Sequence, residues 1–192
     1  MRGLREKVNP IDDASNMTIP MDIVGISFED ILPMRNFCCK HYDTETFKHA
    51  RRVALYAVQN PLSKELFFPL RYPMDMPVPL SRELVYCMAL AHDLIEDTGV
   101  SIDDVVTSQL IPHWDNLRVE WDVDVNYLKN TLELLTHSKD ISYETYCRRI
   151  KESNNSLAYV IKLADMKDHL AQKDTLTDRL REKYLNALPI LL

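Results

Sequence analysis

Leu84, Val85, Tyr86, Cys87, Met88, Ala89, Leu90 and Ala91 form an unbroken apolar run that passes directly into His92 and Asp93. A run with no polar face belongs inside a core. The polar pair at its end therefore starts from a buried wall. The chain continues through Leu94, Ile95, Glu96, Asp97 and Thr98 to Gly99. Read as one helix over 81–98, this segment puts His92 and Glu96 on one face and Asp93 and Asp97 on the adjoining one, because residues four apart are neighbours. Burying an aspartate beside a histidine is costly unless something compensates it. A metal ion is a common compensation.

The spacing of apolar residues predicts helices over roughly 28–41, 44–60, 81–98, 102–110, 116–136, 142–153, 155–173 and 177–188, giving an all-α bundle of about eight helices. Ser81 before Glu83, Ser101 with Asp104, and Ser142 mark helix starts, since a hydroxyl there accepts from the backbone N–H groups of the first turn. Gly99 is placed to end the His92-containing helix in the left-handed conformation. Residues 1–25, with Pro10, Pro20 and Gly25, read as a loosely structured arm over a single domain spanning 26–192. Between 61 and 79 the chain holds Pro61, Pro69, Pro73, Pro77 and Pro79 among Phe67, Phe68 and Tyr72. That density forbids a regular helix, and the aromatics suit either a packed flap beside a pocket or a structural connector.

At 192 residues the chain has room for one sizeable core. Its net charge of −6 argues against a nucleic-acid polymer as partner, but not against an anionic small substrate, because a bound cation reverses the local field. No run reaches the roughly 18 apolar residues of a membrane span. Cys38, Cys39, Cys87 and Cys147 contain no CxxC pair and read as reduced, buried thiols. With no apolar leader block at the N-terminus, the expectation is a cytoplasmic protein without membrane association.

A first-row metal needs about four converging protein ligands. Two residues qualify to join His92 and Asp93. His49 sits at the edge of an apolar stripe made by Phe47, Ala50, Val53, Ala54 and Ala57, and Asp165 interrupts the apolar run Val160, Ile161, Leu163 and Ala164. A carboxylate in such a place is expected to be paired, with Lys162 or His169, or bound to an ion. His113, in a loop with Pro112 and Trp114, and His137, after a helix, are spaced poorly for a second ion.

The order His49, His92-Asp93, Asp165 resembles that of the HD superfamily of metal-dependent phosphohydrolases. The segments ALAHDLIEDTGVSIDDV at 89–105 and VIKLADMKDHL at 160–170 resemble two blocks of the RelA/SpoT-type (p)ppGpp hydrolases, and LLTHSKDISYETYCRRI at 134–150 is similar to a segment of their small stand-alone members. The resemblance covers roughly residues 40–190. It implies that His49, His92, Asp93 and Asp165 hold one divalent ion, manganese by preference, and that Glu96 and Asp97 are the catalytic acidic pair. Physical reasoning agrees: a metal acidifies water so that it can attack phosphorus, and a carboxylate one turn away can orient that water or pass a proton. The two carboxylates would also lie near a helix C-terminus, whose partial negative charge favours their protonated form.

The expected substrate is a small nucleotide, a (p)ppGpp-like 3′-pyrophosphate ester. Lys48, Arg52 and Lys162 are the phosphate contacts, and Tyr143 a wall for the base. The chain departs from the resembled pattern at His169, where that block has Asn, so His169 is expected to support a ligand from behind, to contact substrate or to be a further ligand. It departs again at Ala50, where a Pro is usual, and in the lead-in CCKHYD, which lacks the usual arginines. An HD-type nucleotidase acting on another nucleotide is the alternative enzyme. A catalytically silent nucleotide- or metal-sensing module is the alternative of a different class.

Overall fold

The computed structural model describes residues 25–69, 78–110, 121–172 and 176–192. Among these the fold is all-α, with eight α-helices: α1 (Phe28–His41), α2 (Thr44–Gln59), α3 (Arg82–Leu90), α4 (Leu94–Thr98), α5 (Trp121–Leu135), α6 (Tyr143–Glu152), α7 (Ser156–Ala171) and α8 (Asp178–Leu191). A 3-10 turn at Pro61–Glu65 and a wide π turn at Asp104–Leu110 complete the helical elements. The expected N-terminal arm to residue 24, the start of the 116–136 helix, and His113 lie outside the described residues. None of the described helices is long and apolar enough to cross a membrane.

Helix α3 is the centre of the core. Every residue from Leu84 to Leu90 is buried, because α1, α2 and α7 pack around it. Helix α2 turns the stripe of Phe47, Ala50, Val53, Ala54 and Ala57 inward, and its alanines let the neighbouring backbones approach closely. Helices α6 and α8 pack together and lean on α7. Side-chain caps open several helices: Ser81 accepts from Leu84 N–H and Ser142 from Thr145 N–H, as their positions predict, and Asn155 accepts from Ala158 N–H. Ser101 accepts from Asp104 N–H and donates to the Asp104 carboxylate. All four cysteines are free and buried.

The single helix expected over 81–98 is two. Ala91, His92 and Asp93 form a turn between α3 and α4, with Ala91 at φ −91°, ψ 1° and Asp93 at φ −100°, ψ 0°. Both residues lie in the sparsely allowed bridge region where functional turns are found. The Leu94 N–H therefore reaches Ala91 O rather than Leu90 O. The stranded Leu90 carbonyl is met from α1 and its end instead, by the Tyr42 hydroxyl at 3.3 Å and the Cys38 thiol at 3.9 Å. Burial holds the Tyr42 hydroxyl well above its ordinary pKa, so it stays a donor. Gly99 ends α4 at φ 73°, as its position predicts. The break also weakens the proposed dipole effect: α4 is only five residues long, with Glu96 at its middle and Asp97 one residue from its end, so few aligned peptide dipoles stand behind either carboxylate.

Of the proline-rich stretch, both ends are described and residues 70–77 lie outside. Pro61 opens the 3-10 turn, and Phe67 and Pro79 form an isolated bridge. Phe68 is buried with its ring edge-on to Tyr127 of α5, centroids 6.0 Å apart. The expected flap between these ends falls in the undescribed part.

Replacing Tyr42 by Phe keeps the ring but leaves the Leu90 carbonyl with a weak thiol donor alone. The loss is expected to be about 1–2 kcal/mol, measured by urea denaturation. An unchanged midpoint would mean that the turn does not depend on this bond.

Candidate metal centre

Three parts of the fold deliver side chains to one point. Helix α2 brings His49, the α3–α4 turn brings His92 and Asp93, and α7 brings Asp165 and, one turn later, His169. His49 Nε2 lies 3.3 Å from Asp165 Oδ1 and 3.7 Å from Asp93 Oδ2. His92 Nε2 lies 3.1 Å from Asp93 Oδ2 and 3.8 Å from Asp165 Oδ1. His169 Nε2 is 3.1 Å from the same Asp165 oxygen. Two overlapping triads result, His49-His92-Asp93 and His49-Asp165-His169.

The distances are short, yet the atoms are not bonded to one another. His49 Nε2, His92 Nε2 and Asp165 Oδ1 are each buried and without a hydrogen-bond partner. Leaving a buried polar atom unsatisfied costs about 1–3 kcal/mol, so three facing one another need a common partner. Imidazole nitrogens and carboxylate oxygens together are a suitable donor set for a divalent transition ion.

The opposite edge of each ring is engaged in a way that turns Nε2 inward. His92 Nδ1 donates to Ala89 O at 2.8 Å. A carbonyl only accepts, so the proton on that side is fixed at Nδ1. His49 Nδ1 is 2.8 Å from Asp168 Oδ2, and Asp168 is itself gripped by Arg52, Nε at 2.7 Å and Nη2 at 2.9 Å. Carboxylate or carbonyl support behind a histidine is what orients metal-ligating imidazoles. Asp165 divides its two oxygens: Oδ2 accepts from Lys162 Nζ at 2.7 Å, and Oδ1 faces the histidines.

The electrostatics follow from this crowding. Burial would lower His92, but the Asp93 and Asp165 carboxylates outweigh it and raise its pKa to about 10. His49 is raised in the same way, against burial, by Asp165 and Asp168. Burial opposes the charged form of Asp165, yet Lys162 beside it holds the carboxyl well below its usual range. Asp168 is also lowered, against burial, by His49 and Arg52.

Of the residues singled out in the sequence, His49, His92, Asp93, Asp165, Lys162 and His169 share the centre. Arg52 stands behind His49, its guanidinium committed to Asp168. Lys48 is not brought in: it is exposed and pairs with Glu45 at 2.9 Å. Glu96 and Asp97 are exposed on α4, and Glu96 Oε2 accepts from His137 N–H at 3.1 Å. Tyr143 borders the centre through Lys162, whose ammonium lies 5.0 Å from its ring centroid. Sequence reasoning missed Asp168, though its position three residues after Asp165 on the same helix face is a readable signal. It also missed Lys183 and Tyr184 of α8. Lys183 Nζ sits 3.9 Å from the Tyr143 ring centroid, and Tyr184 stacks on His169.

No family model, curated protein or solved structure matches this chain.

Two outcomes are expected. A raised histidine pKa contributes stability that is whole below its unfolded value, about 6.5, and is lost as pH climbs through the folded value. The metal-free protein should thus weaken between about pH 6.5 and 10, a slope that His92→Gln reduces and His49 still contributes to, in denaturation series across that range. Over the same window zinc or manganese must displace protons to bind, so calorimetry in buffers of different ionisation enthalpy should record proton release. Its absence would mean that the imidazoles are not the ion's ligands. Separately, Asp168→Ala should weaken ion binding by about 10- to 100-fold, read by metal titration.

Proposed function

We propose that this chain is a cytoplasmic, metal-dependent phosphohydrolase of the HD type, in which His49, His92, Asp93 and Asp165 hold one divalent ion, manganese being the ion the sequence resemblance implies. The observation that carries this reading is the meeting of His49 Nε2, His92 Nε2 and Asp165 Oδ1, all buried and all without partners. When bound, such an ion supplies Lewis-acid polarisation of a phosphoryl oxygen and acidifies water. The four free, buried cysteines support a reducing compartment.

The protein's own groups divide the remaining work. Glu96 and Asp97 are solvent-facing carboxylates on the turn that follows the ligand pair. They are suited to orient the attacking water and to carry a proton to or from solvent. The Glu96 contact to His137 N–H holds one of its oxygens in place. Lys162 is buried against Asp165 and lies over Tyr143 and Tyr146. It keeps the ligand carboxylate ionised and adds positive charge beside the reacting phosphate.

The proposed substrate is a nucleotide bearing a 3′-pyrophosphate of the (p)ppGpp class, with pyrophosphate as product. One observation favours a second reading. Lys48 and Arg52, expected to bind phosphate, are committed to Glu45 and Asp168. With fewer cations free, a nucleotide with a single phosphate is the alternative substrate.

A panel of ppGpp and deoxynucleoside monophosphates with manganese separates the two by the phosphorus product released. Glu96→Gln or Asp97→Asn should lower turnover by about 10²–10⁴-fold at unchanged metal content. Parent-like turnover in both variants would remove the catalytic assignment. No turnover by the metal-loaded parent on any member of the panel would favour a sensing module.

A further inference from the structure

His169 is not needed to explain Asp165, whose Oδ2 already has Lys162. Its Nε2 nonetheless stands 3.1 Å from Asp165 Oδ1, and that oxygen accepts no hydrogen bond. With His49 and Asp165 it converges closely enough to share one ion. The relation matches those of His49 and His92 to the same oxygen: near, converging and unbonded.

The ring is also held in place. It lies between Tyr184 of α8, stacked at 4.8 Å and 13°, and the His49 ring, 4.6 Å away. Its position four residues after Asp165 on α7 puts both on one helix face. The side chain is 37 % exposed while Asp165 is 6 % exposed, so His169 occupies the solvent side of the cluster.

We propose that His169 is a third imidazole ligand, so that the centre offers three histidines and two carboxylates to one divalent ion; this rests on the metal reading above and deepens it. Imidazole suits zinc and iron, whereas manganese and magnesium are suited by carboxylates and water. A third imidazole therefore moves the ion preference away from manganese and toward iron(II) or zinc. A ligand on the open side also takes a coordination position that a water or substrate oxygen would otherwise fill, which narrows how a phosphate can approach.

The test counts nitrogens directly. Full-length protein is stripped of metal, loaded with manganese as a spectroscopic probe and examined by pulsed EPR, which detects each coordinated imidazole. Three are expected in the parent and two in His169→Asn. In zinc–manganese competition His169→Asn should lose at least about tenfold in zinc affinity, and less for manganese. Two imidazoles in the parent would overturn this inference while leaving the phosphohydrolase reading intact. A parent that binds neither ion would overturn both. Because the parent count needs no variant, a folding defect in His169→Asn would not obscure the answer.

Discussion

A carboxylate buried in an apolar helix is the constraint around which this protein is arranged. Asp165 lies on α7 among Ile161, Ala164 and Met166, all buried. An isolated charge in such a place would be neutralised or expelled. Here Lys162, reached within the same helix, holds one oxygen, and the other is ringed by His49, His92 and His169. The requirement to surround that oxygen dictates how α2, α7 and the α3–α4 turn approach one another. It also explains why the last is a turn: a continuous helix would carry His92 and Asp93 apart around its axis, whereas the break brings His92 Nε2 within 3.1 Å of Asp93 Oδ2 and 3.8 Å of Asp165 Oδ1.

The arrangement gives up stability that a fully paired core would keep. Unpaired buried atoms, a helix broken inside the core and six ionisable groups gathered at one point are features that a purely structural core avoids. Each is matched by support from behind: Ala89 O for His92, Asp168 and Arg52 for His49, Tyr42 and Cys38 for the opened helix end. This outer layer holds the candidate ligands in place, and it contains residues such as Arg52, paired with Asp168, whose charge in isolation suggests direct phosphate contact.

Much of the fold was legible because helix periodicity and caps are local. Ser81, Ser142 and Gly99 act as their types predict, and the boundaries of α1, α2, α6 and α7 follow within a residue or two. The break at 91–93 was not legible, because its cause is remote: the Leu90 carbonyl can leave its ladder only when Tyr42 and Cys38 arrive from another helix. The same division holds at the site. His49 and Asp165 could be picked out as polar residues interrupting apolar stripes. What stands behind them could not, since Lys48 and Arg52 differ in role only through which carboxylate, Glu45 or Asp168, each meets after folding. Tyr184 and Lys183 follow no local pattern and reach the site only because α8 packs on α6 and α7.

The candidate ligands come from segments far apart in the chain, so an ion held by them would be a cross-link as well as a reagent. It would tie α2, the central turn and α7 together, and its contribution to folding would grow with the logarithm of free metal concentration. Metal supply would then govern how often these helices separate, and with it the protein's exposure to proteases. A chain that held such an ion would be cleared fastest in cells starved of it.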